Sequence, residues 1–254
     1  MLTNKTVFIT GASSGIGEAC AIAFANAGAK LILSARRVDK IEKLAKTLQN
    51  EYKTDVHCLE LDVRHHAQIK KQLTSLPQAY QRIDILINNA GLAAGLDPVQ
   101  EGNLQDWEEM IDTNIKGLLY MTREILPQMV ANNAGHIINI GSIAGHVVYP
   151  KGVVYCATKH AVKALSEGLR MDLFGTKVRV SSVDPGAVET NFSMVRFKGD
   201  KERAEKVYEG FDPLQASDIA DAVLYCASRP AHVTVADMLI MPTDQAAATL
   251  IARK

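Results

Sequence analysis

The chain has 254 residues, 47% hydrophobic and 22% charged, which excludes a disordered or fibrous polymer and suits one large α/β domain with a full core. Lys plus Arg number 28 and Asp plus Glu 28, so no net field draws the chain to nucleic acid or to an anionic membrane, and any bound anion must be gripped locally. The four cysteines, Cys20, Cys58, Cys156 and Cys226, form no C-x-x-C pair for zinc or a disulfide framework, no apolar run approaches the roughly 18 residues of a membrane span, and Val7-Phe8-Ile9 is too short for a signal peptide, so the expectation is a cytoplasmic protein without metal, nucleic-acid or membrane partners.

The first predicted strand covers residues 6–10 and runs into Gly11-Ala12-Ser13-Ser14-Gly15-Ile16-Gly17, which opens a helix to about residue 27. Glycines let backbone approach a pyrophosphate, and a helix N-terminus offers unpaired N–H groups and a positive dipole end. The spacing is G-x-x-x-G-x-G, not the commoner G-x-G-x-x-G, so a plain Gly-rich turn competes until the position at the first βα junction is counted. A second strand, 30–35, ends in Ser34-Ala35-Arg36-Arg37. A carboxylate there would bind the ribose 2′-OH of NAD, whereas arginine accommodates the 2′-phosphate of NADP. Arg36 and Arg37 suit phosphate by bidentate donation. They could instead be solvated charges beginning the next helix, but cations at a helix N-terminus oppose its dipole.

That helix carries Ile41, Leu44, Ala45 and Leu48 at helical spacing, and strands follow at 56–61, 83–88 and 136–140. Ser142 follows the last of these. Tyr155 and Lys159 stand four apart, hence on one face of the next helix, whose apolar spacing is Ala161, Leu165, Leu169 and Leu173. Further strands fall at 178–183 and 238–241. The least regular stretch, 189–213, carries Phe192, Met194, Phe197 and Phe211 among charges and reads as a mobile substrate flap. Strands alternating with helices, the strands nearly continuously apolar, predict a single-domain, Rossmann-type, doubly wound parallel sheet of about seven strands with helices on both faces, over residues 1–254. Its crevice lies beyond the strand carboxyl ends.

Hydride transfer to a ketone leaves an alkoxide that needs a proton, and the reverse needs a base. A Tyr155 phenol serves if its pKa of about 10 is brought down, which the Lys159 ammonium and the positive oxidised nicotinamide would do. Ser142 would hold the substrate oxygen. Tyr and Lys at this spacing are common on half-exposed helices, so the pair gains meaning only from Ser142 and the glycine turn in order.

Taken together, Thr10 to Gly17, Asp62-Val63, Asn88-Asn89-Ala90-Gly91, Asn114, Ser142, Tyr155-x-x-x-Lys159 and Pro185-Gly186 resemble the short-chain dehydrogenase/reductase family over nearly the whole chain. The resemblance implies an NADP(H)-dependent enzyme with Ser142, Tyr155, Lys159 and Asn114 as catalytic residues. It places Gly11, Ser13, Ser14, Gly15, Ile16 and Gly17 at the cofactor phosphates, Asp62 and Val63 at the adenine, and Asn89, Ala90 and Gly91 along the groove. Lys159 would hold the nicotinamide ribose, Asn114 would complete a proton relay through water to Lys159, and Pro185, Gly186, Val188 and Thr190 would bracket the nicotinamide. Singly, Asn88-Asn89 could just end a strand, Asp62 cap a helix and Pro185-Gly186 form a turn. A homotetramer built on residues 104–130, residues 155–174 and the last strand is also implied.

Within the family, residues 84–93, 107–114 and 195–200 are similar to bacterial NADP-dependent 3-hydroxy acid dehydrogenases, which act on serine, L-allo-threonine and related β-hydroxy acids. Arg196 in the flap would then bind the substrate carboxylate; both Arg196 and Lys198 could equally face solvent. A 3-oxoacyl or general carbonyl reductase, and a catalytically idle NADP-binding sensor, are the alternatives.

Overall fold

In the computed structural model, which describes residues 2–254, the apolar runs form β1 (Thr6–Thr10), β2 (Lys30–Ala35), β3 (Val56–Glu60), β4 (Ile85–Asn88), β5 (Gly135–Ile140) and β6 (Val178–Pro185). Two-residue strands β7 (Val188–Glu189) and β8 (Leu214–Gln215) pair with each other, and β9 (Asp237–Ile240) completes the large sheet. All seven strands expected from the sequence are present, their ends displaced by at most two residues. Every pairing is parallel, in the order β3-β2-β1-β4-β5-β6-β9.

Parallel pairing requires a crossover after each strand. The helices are α1 (Gly15–Asn26), α2 (Val38–Tyr52), α3 (His66–Thr74), α4 (Leu104–Ile111), α5 (Leu118–Ala131), α6 (Val153–Asp172), α7 (Phe192–Arg196), α8 (Lys201–Lys206) and α9 (Ala216–Ser228). Val7, Ile9, Leu31, Leu33 and Ile87 point to the layer of α1, α2 and α9, while Phe8, Ile32, Leu86 and Ile137 point to that of α3, α5 and α6. β1 is buried at all five positions, with Phe8 beside Ile32 and Leu86. This double covering is why the strands read as unbroken apolar runs; each such side chain stabilises the fold by about 1.5–3 kcal/mol. The chain moves from β1 to β3 in one direction and returns on the other side of β1 at β4, so a crevice opens beyond Thr10 and Asn88.

On α6, Leu173 at its C-terminal end is buried and Leu169 packs against the core, whereas Ala161 and Leu165 are only partly buried. Its inward face is Tyr155, Cys156, Thr158, Lys159, Val162 and Ser166; polar groups there are buried because they are hydrogen-bonded, and Ser166 both donates to Val162 O (2.8 Å) and accepts from Asn139 Nδ2 (2.9 Å). The stretch 189–213 is not irregular: it holds α7 and α8, the latter capped by Asp200, whose carboxylate accepts Arg203 N at 3.1 Å. Its ends are pinned by the β7–β8 pair. Among the described residues no helix is long and apolar enough to cross a membrane.

Candidate active site

Gly11 (φ +66°) and Gly15 (φ +60°) adopt the left-handed backbone that glycine tolerates. Gly17 is required by proximity: a Cβ there would lie 2.5 Å from both Asn89 Nδ2 and Gly11 O. The turn is stapled to the end of β4, where Asn89 Nδ2 donates to Thr10 O (2.8 Å) and Gly11 O (3.1 Å), and Thr10 Oγ1 accepts from Asn89 N and Ala90 N (3.0 and 2.9 Å). Asn89 therefore shapes the turn as well as lining the groove. Ser14, extended at the start of α1, makes no side-chain cap bond, leaving the first N–H groups of the helix without a side-chain partner from it.

From this turn a cleft of about 880 Å³ runs along the strand ends. It is lined by the glycine turn including Ile16, by Arg36 and Arg37, by Asp62 and Val63, by Asn89, Ala90 and Gly91, and by Ser142, Tyr155, Lys159, Pro185, Gly186, Val188, Thr190 and Arg196. The residues anticipated from the sequence thus converge on one cavity, except Gly17 and Asn114, which support its walls.

At the end formed by β2, Arg37 Nη2 donates to Ser13 Oγ (3.2 Å), tying the second cation to the glycine turn. Arg36 reaches Glu109 Oε1 of α4 (3.5 Å), which also lies 3.5 Å from Arg64 Nη1. The nearest acid is thus Glu109, 73 residues away, a proximity only folding creates. Asp62 is already bound by Arg64, whose Nη2 and Nε lie 2.6–3.0 Å away. Burial works to raise that carboxyl, but these bonds and the charges of Arg64 and Arg36 hold it below the usual range. Two guanidiniums beside Ala35, at a glycine turn, fit a dinucleotide with a 2′-phosphate.

At the other end, Ser142 follows β5 in extended conformation (φ −175°) and its hydroxyl accepts Ala144 N at 3.1 Å, capping a short turn at Ile143–Gly145. A Cβ at Gly145 would lie 2.7 Å from Lys159 O, so this turn rests on α6. Lys159 Nζ donates to Ile140 O (2.9 Å) and stands 6.0 Å from the centre of the Tyr155 ring. Burial pushes the Tyr155 phenol up to about 12, opposed by the Arg196 charge and by a hydrogen bond with Ser142. The expected lowering by Lys159 does not prevail over the burial of the phenol itself; burial pulls Lys159 down to about 8, with Asp184 opposing. Burial thus favours the neutral phenol of Tyr155, and Arg196 and Ser142 are the groups that favour its phenolate.

Asn114 sits in a π-turn, Asp112–Gly117, between α4 and α5. Its Oδ1 accepts Leu92 N (2.9 Å) and its Nδ2 donates to Leu92 O (2.8 Å) and Thr158 Oγ1 (3.0 Å), tying the strand-end loop to α6. Both amide hydrogens are spent, so any part of Asn114 in a relay is played as an acceptor. A single π-turn inside helical chain leaves little mark in sequence periodicity.

The flap contributes Arg196, whose guanidinium lies 5.0 Å from the Tyr155 ring centre and 5.1 Å from that of Phe192, and whose Nη2 donates to Tyr149 Oη at 3.0 Å. Its Nε is buried without a partner. Lys198 is engaged elsewhere, paired with Asp106 at 2.9 Å. Tyr149 was not anticipated from the sequence; Tyr149-Pro150 carries no motif. Neither was Gln245, whose Oε1 accepts Ala187 N (2.8 Å) and would lie 2.3 Å from a Cβ at Gly186, bracing the Pro185-Gly186 turn.

Residues 5–201 match the family model described as short chain dehydrogenase. An NADP-dependent 3-hydroxy acid dehydrogenase of Schizosaccharomyces pombe is 46% identical over 254 residues, 100% of this chain and 98% of that protein. A protein named sulfoacetaldehyde reductase 2, from Chromohalobacter salexigens, is 45% identical over 94% of this chain and 95% of its own. Among solved structures, the closed form of serine dehydrogenase complexed with NADP+ superposes with a TM-score of 0.92 at 46% identity, covering 98% of this chain and 99% of that one.

Proposed function

The chain belongs to the short-chain dehydrogenase family and is an NADP-dependent oxidoreductase acting on CH–OH groups; within that activity we propose that it acts on the C3 hydroxyl or carbonyl of small β-hydroxy acids, with Tyr155 as general acid and base. The observation that carries this reading is Arg196: a guanidinium with a buried, unpartnered Nε, stacked on the Tyr155 ring and lacking any carboxylate partner among the described residues. A substrate carboxylate two carbons from the reacting carbon would meet that donor fork while its oxygen meets Tyr155 and Ser142.

NADP(H), when bound, accepts or supplies the hydride. Gly11, Ser13, Ser14, Gly15, Ile16 and Gly17 would hold its phosphates, Arg36 and Arg37 its 2′-phosphate, Asp62 and Val63 its adenine, and Pro185, Gly186, Val188 and Thr190 would bracket the nicotinamide. Asn89, Ala90 and Gly91 wall the groove. The chain's own part in the chemistry is proton handling. Ser142 holds the substrate oxygen in line, Tyr155 donates its proton in reduction and takes one in oxidation, and Lys159 is the cation that anchors the ribose. Asn114 positions Leu92 and α6 around that lysine. We read the exposed apolar Leu104, Met171 and Phe174 on or beside α4 and α6 as subunit contacts of a homotetramer.

A panel of serine, L-allo-threonine, 3-hydroxyisobutyrate, 3-hydroxypropionate, sulfoacetaldehyde and a 3-oxoacyl thioester, each with NADP(H) and NAD(H), tests the substrate class through kcat/KM. Sulfoacetaldehyde enters because a sulfonate can use the same guanidinium and a relative bears that name. The reading expects the hydroxy acids or the sulfonate to lead; a thioester preference would replace it with a 3-oxoacyl reductase.

A further inference from the structure

The penultimate residue of β6 is Asp184, a carboxylate 2% exposed. One oxygen, Oδ1, accepts from Ser182 Oγ at 2.5 Å, and the other, Oδ2, lies 2.7 Å from His146 Nε2. His146 Nδ1 lies 3.2 Å from Lys163 Nζ. An ammonium only donates, so Lys163 must donate to Nδ1, and the hydrogen of a neutral imidazole then sits on Nε2 and points to Asp184. The three side chains form a directed line, ammonium to imidazole to carboxylate, reaching from α6 into the sheet. It meets the reaction site at the end of β5. A Cβ on Gly141 would fall 1.8 Å from Asp184 Oδ1, so this backbone is pressed against the carboxylate. Gly141 stands between Ile140, whose carbonyl takes the Lys159 ammonium, and Ser142.

A buried carboxylate with so few partners is costly to keep for stability alone. We propose that Asp184, oriented by His146 and Ser182, is a positioning residue of the reaction: it is the counter-charge of Lys159 and the seat of the Ile140–Ser142 backbone that places Ser142. This rests on the reading of Lys159 as a working cation. The titratable and charged groups around Lys159 are Tyr155 one turn back on its own helix, Asp184 from β6, His146 from the loop after β5, and Lys163 one turn further along α6. Of these only Asp184 supports the ammonium, against burial. With the carboxylate gone the lysine loses its proton at lower pH, so activity that needs the ammonium fails earlier as pH rises.

The test is kcat/KM against pH from 6 to 10, with NADPH binding followed by fluorescence, for wild type, Asp184→Asn, His146→Ala, His146→Gln and Lys159→Ala. Asp184→Asn keeps the shape against Gly141; its alkaline limb is expected about one pH unit lower, a roughly tenfold loss above the limb. His146→Ala should move the limb the same way by less, and His146→Gln, whose amide still donates to Asp184, should restore it. An alkaline limb at the wild-type position in Asp184→Asn overturns the proposal; should that variant not fold, an unmoved limb in His146→Ala does so. Full turnover by Lys159→Ala would instead overturn the reading of the site itself, which keeps the two failures distinct.

Discussion

Arg196 carries the substrate reading, and its removal can be worked through from the geometry. In the structure one Nη2 hydrogen goes to Tyr149 Oη and Nε is buried and free, which leaves Nε and the second Nη2 hydrogen for a carboxylate. A hydrogen bond to a charged group contributes about 1.5–3 kcal/mol, so losing two in a partly solvated cleft costs about 3 kcal/mol, or roughly 100-fold in kcat/KM. Arg196→Ala should show that loss with serine or 3-hydroxypropionate, mostly in KM. Arg196→Lys, which keeps the charge but not the fork, should fall between. A small uncharged alcohol tested in parallel should lose far less. There is a second effect with a defined sign. The Arg196 charge opposes the burial that raises Tyr155, so in Arg196→Ala the phenolate forms at higher pH and the acid limb of alcohol oxidation moves upward. If KM for serine is unchanged and the uncharged alcohol suffers equally, the carboxylate role is refuted.

Two further outcomes follow from charge and burial. Arg36→Asp places a carboxylate at the end of β2, where it suits the ribose 2′-OH and repels a 2′-phosphate; because Arg36 is more than half exposed, about tenfold is expected in the NADP-to-NAD ratio of kcat/KM, and an unchanged ratio would remove Arg36 from the site. His136, buried in β5 with Nε2 2.8 Å from Ser181 Oγ, is pulled from 6.5 down to about 3, by burial first and by the Arg179 charge second. Its folded-state pKa lies below the unfolded one, so the unfolded chain binds the extra proton and stability falls as pH drops below about 6.5, by about 2 kcal/mol at pH 5. Denaturant unfolding of wild type and His136→Gln between pH 5 and 7.5 checks this: the variant's curve should be flatter, and parallel curves would show that His136 is not the titrating group.

The sheet was legible because its strands are buried on both faces, so Val7-Phe8-Ile9 or Ile85-Leu86-Ile87 could be little else, and because the glycine turn falls where a first βα junction belongs. Ser142 was legible at a strand end and Tyr155 and Lys159 as one face of a helix, and the three line one cleft. What escaped depends on contacts between distant residues. Glu109 meets Arg36 and Arg64 only once α4 is docked, and Gln245 reaches Gly186 from the end of the chain. The inward face of α6 left little mark in the sequence for a related reason: several of its buried positions are polar, satisfied by partners such as Asn139 and Asn114 that no periodicity reveals. The flap looked irregular because helices of five and six residues are too short to establish a period.

Whether the Tyr155 phenol moves the proton is tested by following NADPH absorbance with the best carbonyl substrate for wild type and Tyr155→Phe, after confirming that both bind NADPH and unfold at the same temperature. Removing only the hydroxyl should lower kcat by about 10²–10⁴-fold, the range for a lost general acid, while cofactor affinity stays within about twofold. Turnover by Tyr155→Phe near the wild-type rate would contradict the account.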